Sequence, residues 1–183
     1  GLGPLFNARS CASCHLKDGR GRPPIKKGER GHGLLLRLAV GNDAKYGPIA
    51  DAIYGGQLQD RSVLGIDVEA DFRIRYDTIK GTYPDGTSYE LLKPSYTIFN
   101  LKEGALNATE VSPRVANQII GMGLLEAIEK ETLLSFADET DADNDGVSGR
   151  PNYVWNVETD STTIGRFGWK ANQPTVRQQV AAA

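Results

Sequence analysis

Apolar residues fall into a few short clusters along this chain, and each predicts a separate element. The longest apolar stretch, residues 34–40, is interrupted only by Arg37. It reads as a short buried element, helix in preference to strand. In Phe72-Arg73-Ile74-Arg75-Tyr76-Asp77 apolar and polar residues alternate, the pattern of a half-exposed strand. Pro84-Asp85-Gly86 is a turn sequence, and residues 88–92 and 96–101 can return as strands. A β-ribbon is therefore expected over about residues 71–101.

The strongest helical pattern begins at Ser112-Pro113. Serine can cap free N–H groups and proline suits the first helical position. Ile120, Leu124 and Ile128 then recur at intervals of four, and Glu126 and Lys130 make a favourable i,i+4 pair. A helix over 113–137 is predicted, followed by an acidic loop, an irregular stretch and a helix after Pro174. Residues 16–33 are rich in glycine and basic residues and read as an irregular loop. With a second helix over 2–14, the expected fold is mainly α, one cytochrome-c-like domain over 1–183 with the ribbon as an insertion.

The chemistry is concentrated at Cys11-Ala12-Ser13-Cys14-His15, a C-x-x-C-H sequence of the kind that attaches c-type haem. Two thiols three residues apart on a helical turn can reach both vinyl groups of one porphyrin. The histidine that follows can then ligate the iron. A redox C-x-x-C of the thioredoxin type needs a strand before it and a helix after it, whereas a loop follows here. A zinc site needs more ligands than His32 can add. A structural disulfide leaves His15 unexplained. One covalent haem c is expected.

For the second axial position two candidates stand open. Met122, the only methionine, lies between Gly121 and Gly123, where a flat macrocycle can approach the backbone; it is otherwise core filler. His32 also lies between glycines and is the alternative. Arg20 and Arg22 are candidates for the haem propionates, or else part of a solvated basic loop. Asp141-Ala142-Asp143-Asn144-Asp145-Gly146 matches the opening of a Ca²⁺ loop, with Asp141, Asp143, Asp145 and the Val147 carbonyl as ligands. The twelfth position of that loop is Asn152 in place of glutamate, so it is not a standard EF-hand; a solvated acidic turn is the competing reading.

Composition narrows the partners. The 183 residues carry a net charge of -2, so no nucleic-acid partner is expected, and no apolar run is long enough for a membrane span. No leader is visible at the start and no stop signal at the end, so a piece of something longer is expected. Export to the periplasm follows from the haem chemistry, because bacterial c-type haem is attached outside the cytoplasm.

Several motifs together resemble one family. They are Gly1-Leu2-Gly3-Pro4-Leu5-Phe6-Asn7, Asp18-Gly19-Arg20-Gly21-Arg22-Pro23-Pro24, Tyr54-Gly55-Gly56-Gln57-Leu58-Gln59-Asp60 and Ser112-Pro113-Arg114. Gly123-Leu124-Leu125-Glu126-Ala127-Ile128, Asp145-Gly146-Val147-Ser148-Gly149-Arg150 and Gly165-Arg166-Phe167-Gly168-Trp169-Lys170 complete the set. The chain resembles the amino-terminal haem half of the bacterial di-haem oxidoreductases, which are similar to di-haem cytochrome c peroxidases. The resemblance implies a periplasmic enzyme with two haem domains, of which this sequence carries one C-x-x-C-H. It also implies a redox partner protein or second haem domain, and H₂O₂ as a candidate substrate. Trp169 and the acidic loop would lie between the haems, with a core aromatic the preferred competing reading of Trp169. Glu126 and Glu103 are acid/base candidates with surface roles as their competitors. Beside the enzyme stand a pure electron carrier with a His/Met haem and a thiol-active protein using Cys11 and Cys14 directly.

Overall fold

The computed structural model describes residues 3–25 and 31–182. The fold is not mainly α: 13% of the chain is helical and 36% lies in strands, arranged as several small antiparallel sheets. The beginning of the expected 2–14 helix and the middle of the 16–33 loop lie outside the described residues.

The clearest correction is at residues 34–40. They form strand β2 (Leu34–Ala39), following β1 (Leu5–Phe6) and α1 (Cys11–Cys14). Arg37 sets a period of two: Leu36 and Leu38 turn inward, and Arg37 points to the other face. Hydrogen bonds hold the backbone on both edges. One edge pairs with a strand at Glu110–Val115. On the other, Leu38 donates to the Gly56 carbonyl and Leu58 to that of Leu36. A six-residue run with partners on both sides gains more as a strand than as an isolated helix turn.

Three hairpins and a short pair complete the sheets. Strands β3 (Gly41–Asp43) and β4 (Gly47–Ile49) form one hairpin, and β5 (Arg61–Ser62) pairs with β1. The predicted ribbon is β6 (Asp71–Thr82) against β7 (Ser88–Phe99), in register from Asp71 opposite Phe99 to Thr82 opposite Ser88. The Glu110–Val115 strand is β8, and β9 (Tyr153–Asn156) pairs with β10 (Ser161–Ile164).

The 113–137 helix is replaced by a strand and two short helices, α2 (Met122–Glu126) and α3 (Lys130–Leu134). Proline disfavours the α region for the residue before it, so Ser112-Pro113 serves a strand as readily as a helix start. Pro113 lies opposite Leu36 in β8. Gly121 caps α2 in the left-handed region, and Glu129 is extended before α3. The Glu126–Lys130 pair is lost with the helix. The Arg166 guanidinium takes its place, donating from Nη1 to the carbonyls of Leu125, Glu126 and Ile128 at the end of α2. The 2–14 helix is likewise reduced to α1, because Leu5–Phe6 pairs with β5 and the Asn7 amide bonds the Leu58 carbonyl and Asp60. The last segment is helical as expected, in α4 (Val176–Ala181). Among the described residues no helix is long and apolar enough to cross a membrane.

The core gathers Leu36, Leu38, Tyr54, Leu58 and Ala70, with Phe72, Tyr96 and Ile98 from the ribbon base packed against them. Asp51 is buried at its edge. Its Oδ1 accepts from the backbone N–H of Ile53 (2.8 Å) and Tyr54 (3.0 Å), and its Oδ2 from Asn107 (2.8 Å). These bonds, Tyr54's foremost, pull its pKa below the ordinary 3.8. The folded state therefore prefers the carboxylate. Its contribution is full above the unfolded value and is lost as pH falls through the lower folded value. Denaturant midpoints of the wild type are expected to fall as pH drops below about 5. Asp51→Asn, less stable at neutral pH, should show a flatter pH response. Parallel slopes for the two proteins would contradict this.

Candidate haem site

The C-x-x-C-H motif folds as one turn of helix. Ser10 is extended before α1, and the His15 N–H closes the turn onto the Cys11 carbonyl at 2.9 Å. Both cysteines are free thiols, Cys11 exposed and Cys14 half-buried. Burial raises the Cys14 pKa, partly offset by the Gly33 N–H and by the Arg61 charge. The two cysteines share a single helical turn, after β1 and with no long helix following among the described residues, an arrangement that suits a two-thioether attachment.

The His15 ring is fixed by a long-range contact. Its Nδ1 lies 2.6 Å from the backbone carbonyl oxygen of Asn117. A carbonyl only accepts, so Nδ1 carries the proton and Nε2 is left with its lone pair, as metal ligation requires. The residues that follow the motif are tied to the same segment three more times. Gly21 donates to the Ala116 carbonyl (2.8 Å), Ala116 to that of Gly33 (2.6 Å) and Ile119 to that of Asp18 (3.0 Å). Residues 116–119 thus form a backbone wall beside the histidine, and Met122 begins α2 three residues later. Met122 is half-buried.

Apolar side chains on these segments are left uncovered. Leu16 is 54% exposed, Ile120 69% and Leu124 79%. Large exposed apolar groups beside a ligating histidine suit a macrocycle, which is mostly apolar surface. The residues therefore fit a haem: two free thiols on one turn, an imidazole in the ligating tautomer, and apolar flanks.

The remaining candidates separate. His32 is held by its backbone, in a two-way bridge with Arg22, the N–H of each donating to the other's carbonyl at 2.8 Å. Arg20 donates from Nε and Nη2 to Gln118 Oε1, and its guanidinium lies 5.7 Å from the centre of the Trp169 ring. Trp169 is half exposed, so it is not a core aromatic, and its indole N–H donates to the Val115 carbonyl at 2.6 Å. Arg20 and Trp169 border a cleft of about 570 Å³. Glu126 caps α4, its Oε1 accepting from the Val176 N–H at 2.8 Å. Glu103 is exposed on the surface, its backbone N–H donating to the Tyr54 hydroxyl.

In the acidic loop the carboxylates of Asp138, Asp141 and Asp143 each bring an oxygen within 4.8 Å of the others. Asp145 stands apart, accepting from the Val147 N–H (2.7 Å). Asp138 pairs with Gly149 through two backbone bonds that close the loop. Sequence reasoning missed Asp138 because it precedes the D-x-D-x-D-G template. It missed Asn117 because a backbone carbonyl leaves no residue signature.

A family model described as "di-haem oxidoreductase, putative peroxidase" matches residues 1–183. No curated protein and no solved structure matches the chain. The match spans the whole sequence, including the C-x-x-C-H turn and the wall that orients its histidine, and the chain belongs to the di-haem oxidoreductase family.

Proposed function

We propose that this chain is a c-type haem domain that moves electrons within a peroxidase-like oxidoreductase. The observation that carries this is the His15 Nδ1 bond to the Asn117 carbonyl, which presets the ring for iron. Cys11 and Cys14 hold the porphyrin as thioethers, and His15 supplies the first axial nitrogen. Met122 is the second ligand, with His32 the alternative, and Arg20 and Arg22 serve the propionates. When bound, the haem supplies one-electron redox chemistry. The chain's own residues orient the imidazole, anchor the porphyrin edge and leave an apolar surface against it.

The overall reaction reduces one H₂O₂ to two waters with two protons and two electrons from a redox partner protein or second haem domain. Glu126 is engaged in capping α4, which leaves it poorly placed to act as a general acid. Calcium is proposed at the acidic loop, with Asp138 joining Asp141 and Asp143. The protein works in the periplasm, where the thioether bonds are made. A second reading, a pure electron carrier, is favoured by Met122's half-buried place at the start of α2, near the His15 wall.

Spectra of the ferric and ferrous protein test both. A haem that stays on the denatured chain supports the proposal, and its absence sinks it. A thioether-to-iron charge-transfer band that vanishes in Met122→Ala makes this the carrier haem. A high-spin spectrum that responds to H₂O₂ or cyanide instead places peroxide chemistry at this iron.

A further inference from the structure

Three cations line one cleft with no carboxylate among the described residues that border it. The cleft beside Arg20 is also lined by Arg114, Lys170 and Trp169, over Pro113 and Val115. Its volume of about 570 Å³ falls within the range of small-molecule sites. Arg20 is held in place, both donors on Gln118 Oε1 and its guanidinium over the indole. The indole is itself pinned to the Val115 carbonyl. The Arg114 Nε donates to Ser112 Oγ at 3.4 Å. Among the described residues, Arg20, Arg114 and Lys170 make no ion pair. Other cations are paired, Arg75 with Asp77 and Lys80 with Glu90.

A fourth cation stands behind them. Arg37 lies opposite Ser112 and Leu35 opposite Arg114, so the two arginines are diagonal neighbours on one face of the β2–β8 ladder. Arg37 is half-buried and, among the described residues, its Nη1 donates to the neutral Gln57 oxygen, at 3.2 Å. Burial first, and then the Arg114 charge, push its pKa down. Both guanidinium groups stay charged, so they repel until an anion lies near.

The cleft's chemistry selects the anion. Pro113, in its floor, offers no N–H, unlike the amide-rich cradles that take phosphate. Its floor is apolar and its arginines match the planar fork of a carboxylate. We propose that this cleft binds an organic carboxylate, with Arg114 and Lys170 on the carboxylate and the Trp169 ring and floor against the apolar body. The carboxylate has two sources: a haem propionate, which rests on the haem reading, or a free small acid, which does not.

The test is calorimetric titration of benzoate into the haem-loaded chain, with midpoint potentials measured on the same samples. A free-acid site binds benzoate and weakens about tenfold or more in both Arg114→Gln and Lys170→Gln, the loss of one charge-assisted bond each. A propionate site shows no benzoate binding, and both variants lower the midpoint potential, because removing a cation beside the propionate favours the ferric form. Either result supports the proposal. It is overturned if benzoate does not bind and the potentials stay unchanged, or if inorganic phosphate binds as tightly as benzoate. Should no haem attach, the haem reading fails, while the benzoate titration still reads the cleft.

Discussion

Replacing Cys11 and Cys14 together by alanine is expected to abolish covalent haem, leaving the denatured chain at its bare polypeptide mass. These are the only two cysteines, so no other residue can form the thioether bonds. They sit three apart on α1, and neither thiol is engaged in a disulfide. Each single variant retains one sulfur and should keep a weaker, single-bonded adduct. His15→Ala separates attachment from ligation: both sulfurs remain, while the imidazole preset by Asn117 is gone. That variant should carry haem with an altered spectrum. Axial ligation by His15 and packing against the haem form only in the folded state, so the double variant, which loses both, should melt at a lower temperature. Mass spectrometry under denaturing conditions decides the matter. A haem-sized adduct surviving in the double variant, or none in the wild type, would refute the assignment.

The ribbon was legible because its signal is local. Alternation in residues 72–77 and the Pro84-Asp85-Gly86 turn fix two strands whose pairing needs no distant partner. The C-x-x-C-H turn was legible for the same reason. Residues 34–40 and 113–137 misled because their fate depends on one another: Leu36 opposes Pro113 across the β2–β8 ladder, a pairing 77 residues apart that no window shows. The i,i+4 apolar pattern at Ile120 and Leu124 was real but marks exposed surface, with Leu124 79% exposed, not a buried helix face. Such residues need a cover that the sequence pattern does not name. The contact of Glu126, an acid/base candidate, was hidden for the same reason: its Oε1 accepts from the distant Val176 N–H.

Gly33→Ala should be the most damaging single change at the haem site, and Gly55→Ala supplies its control. Both glycines have φ of +67°, in the left-handed region. An L-residue there costs roughly 1–2 kcal/mol, so both variants should lose about that much. Their surroundings differ. A Cβ at Gly55 meets nothing within 4 Å, whereas at Gly33 it meets the Ala116 Cβ and the Cys14 carbonyl oxygen at 2.9 Å and the Gly21 Cα at 3.0 Å. Two of those three contacts are backbone, and the Gly21–Ala116–Gly33 hydrogen bonds hold Gly21 in place, so they cannot give cheaply. Overpacking of this kind adds about 1–3 kcal/mol. Gly33→Ala should therefore lose about 2–5 kcal/mol, a large share of the roughly 5–15 kcal/mol that holds a typical domain. The crowding falls on the Cys14 carbonyl, one residue from His15, so relief by backbone movement would shift the ring away from Asn117. Denaturant titration of both variants reads the difference, and the haem spectrum reads the displacement. Equal destabilisation in the two would mean that the joint at Gly33 is soft, and that the wall of residues 116–119 does not hold the histidine in place.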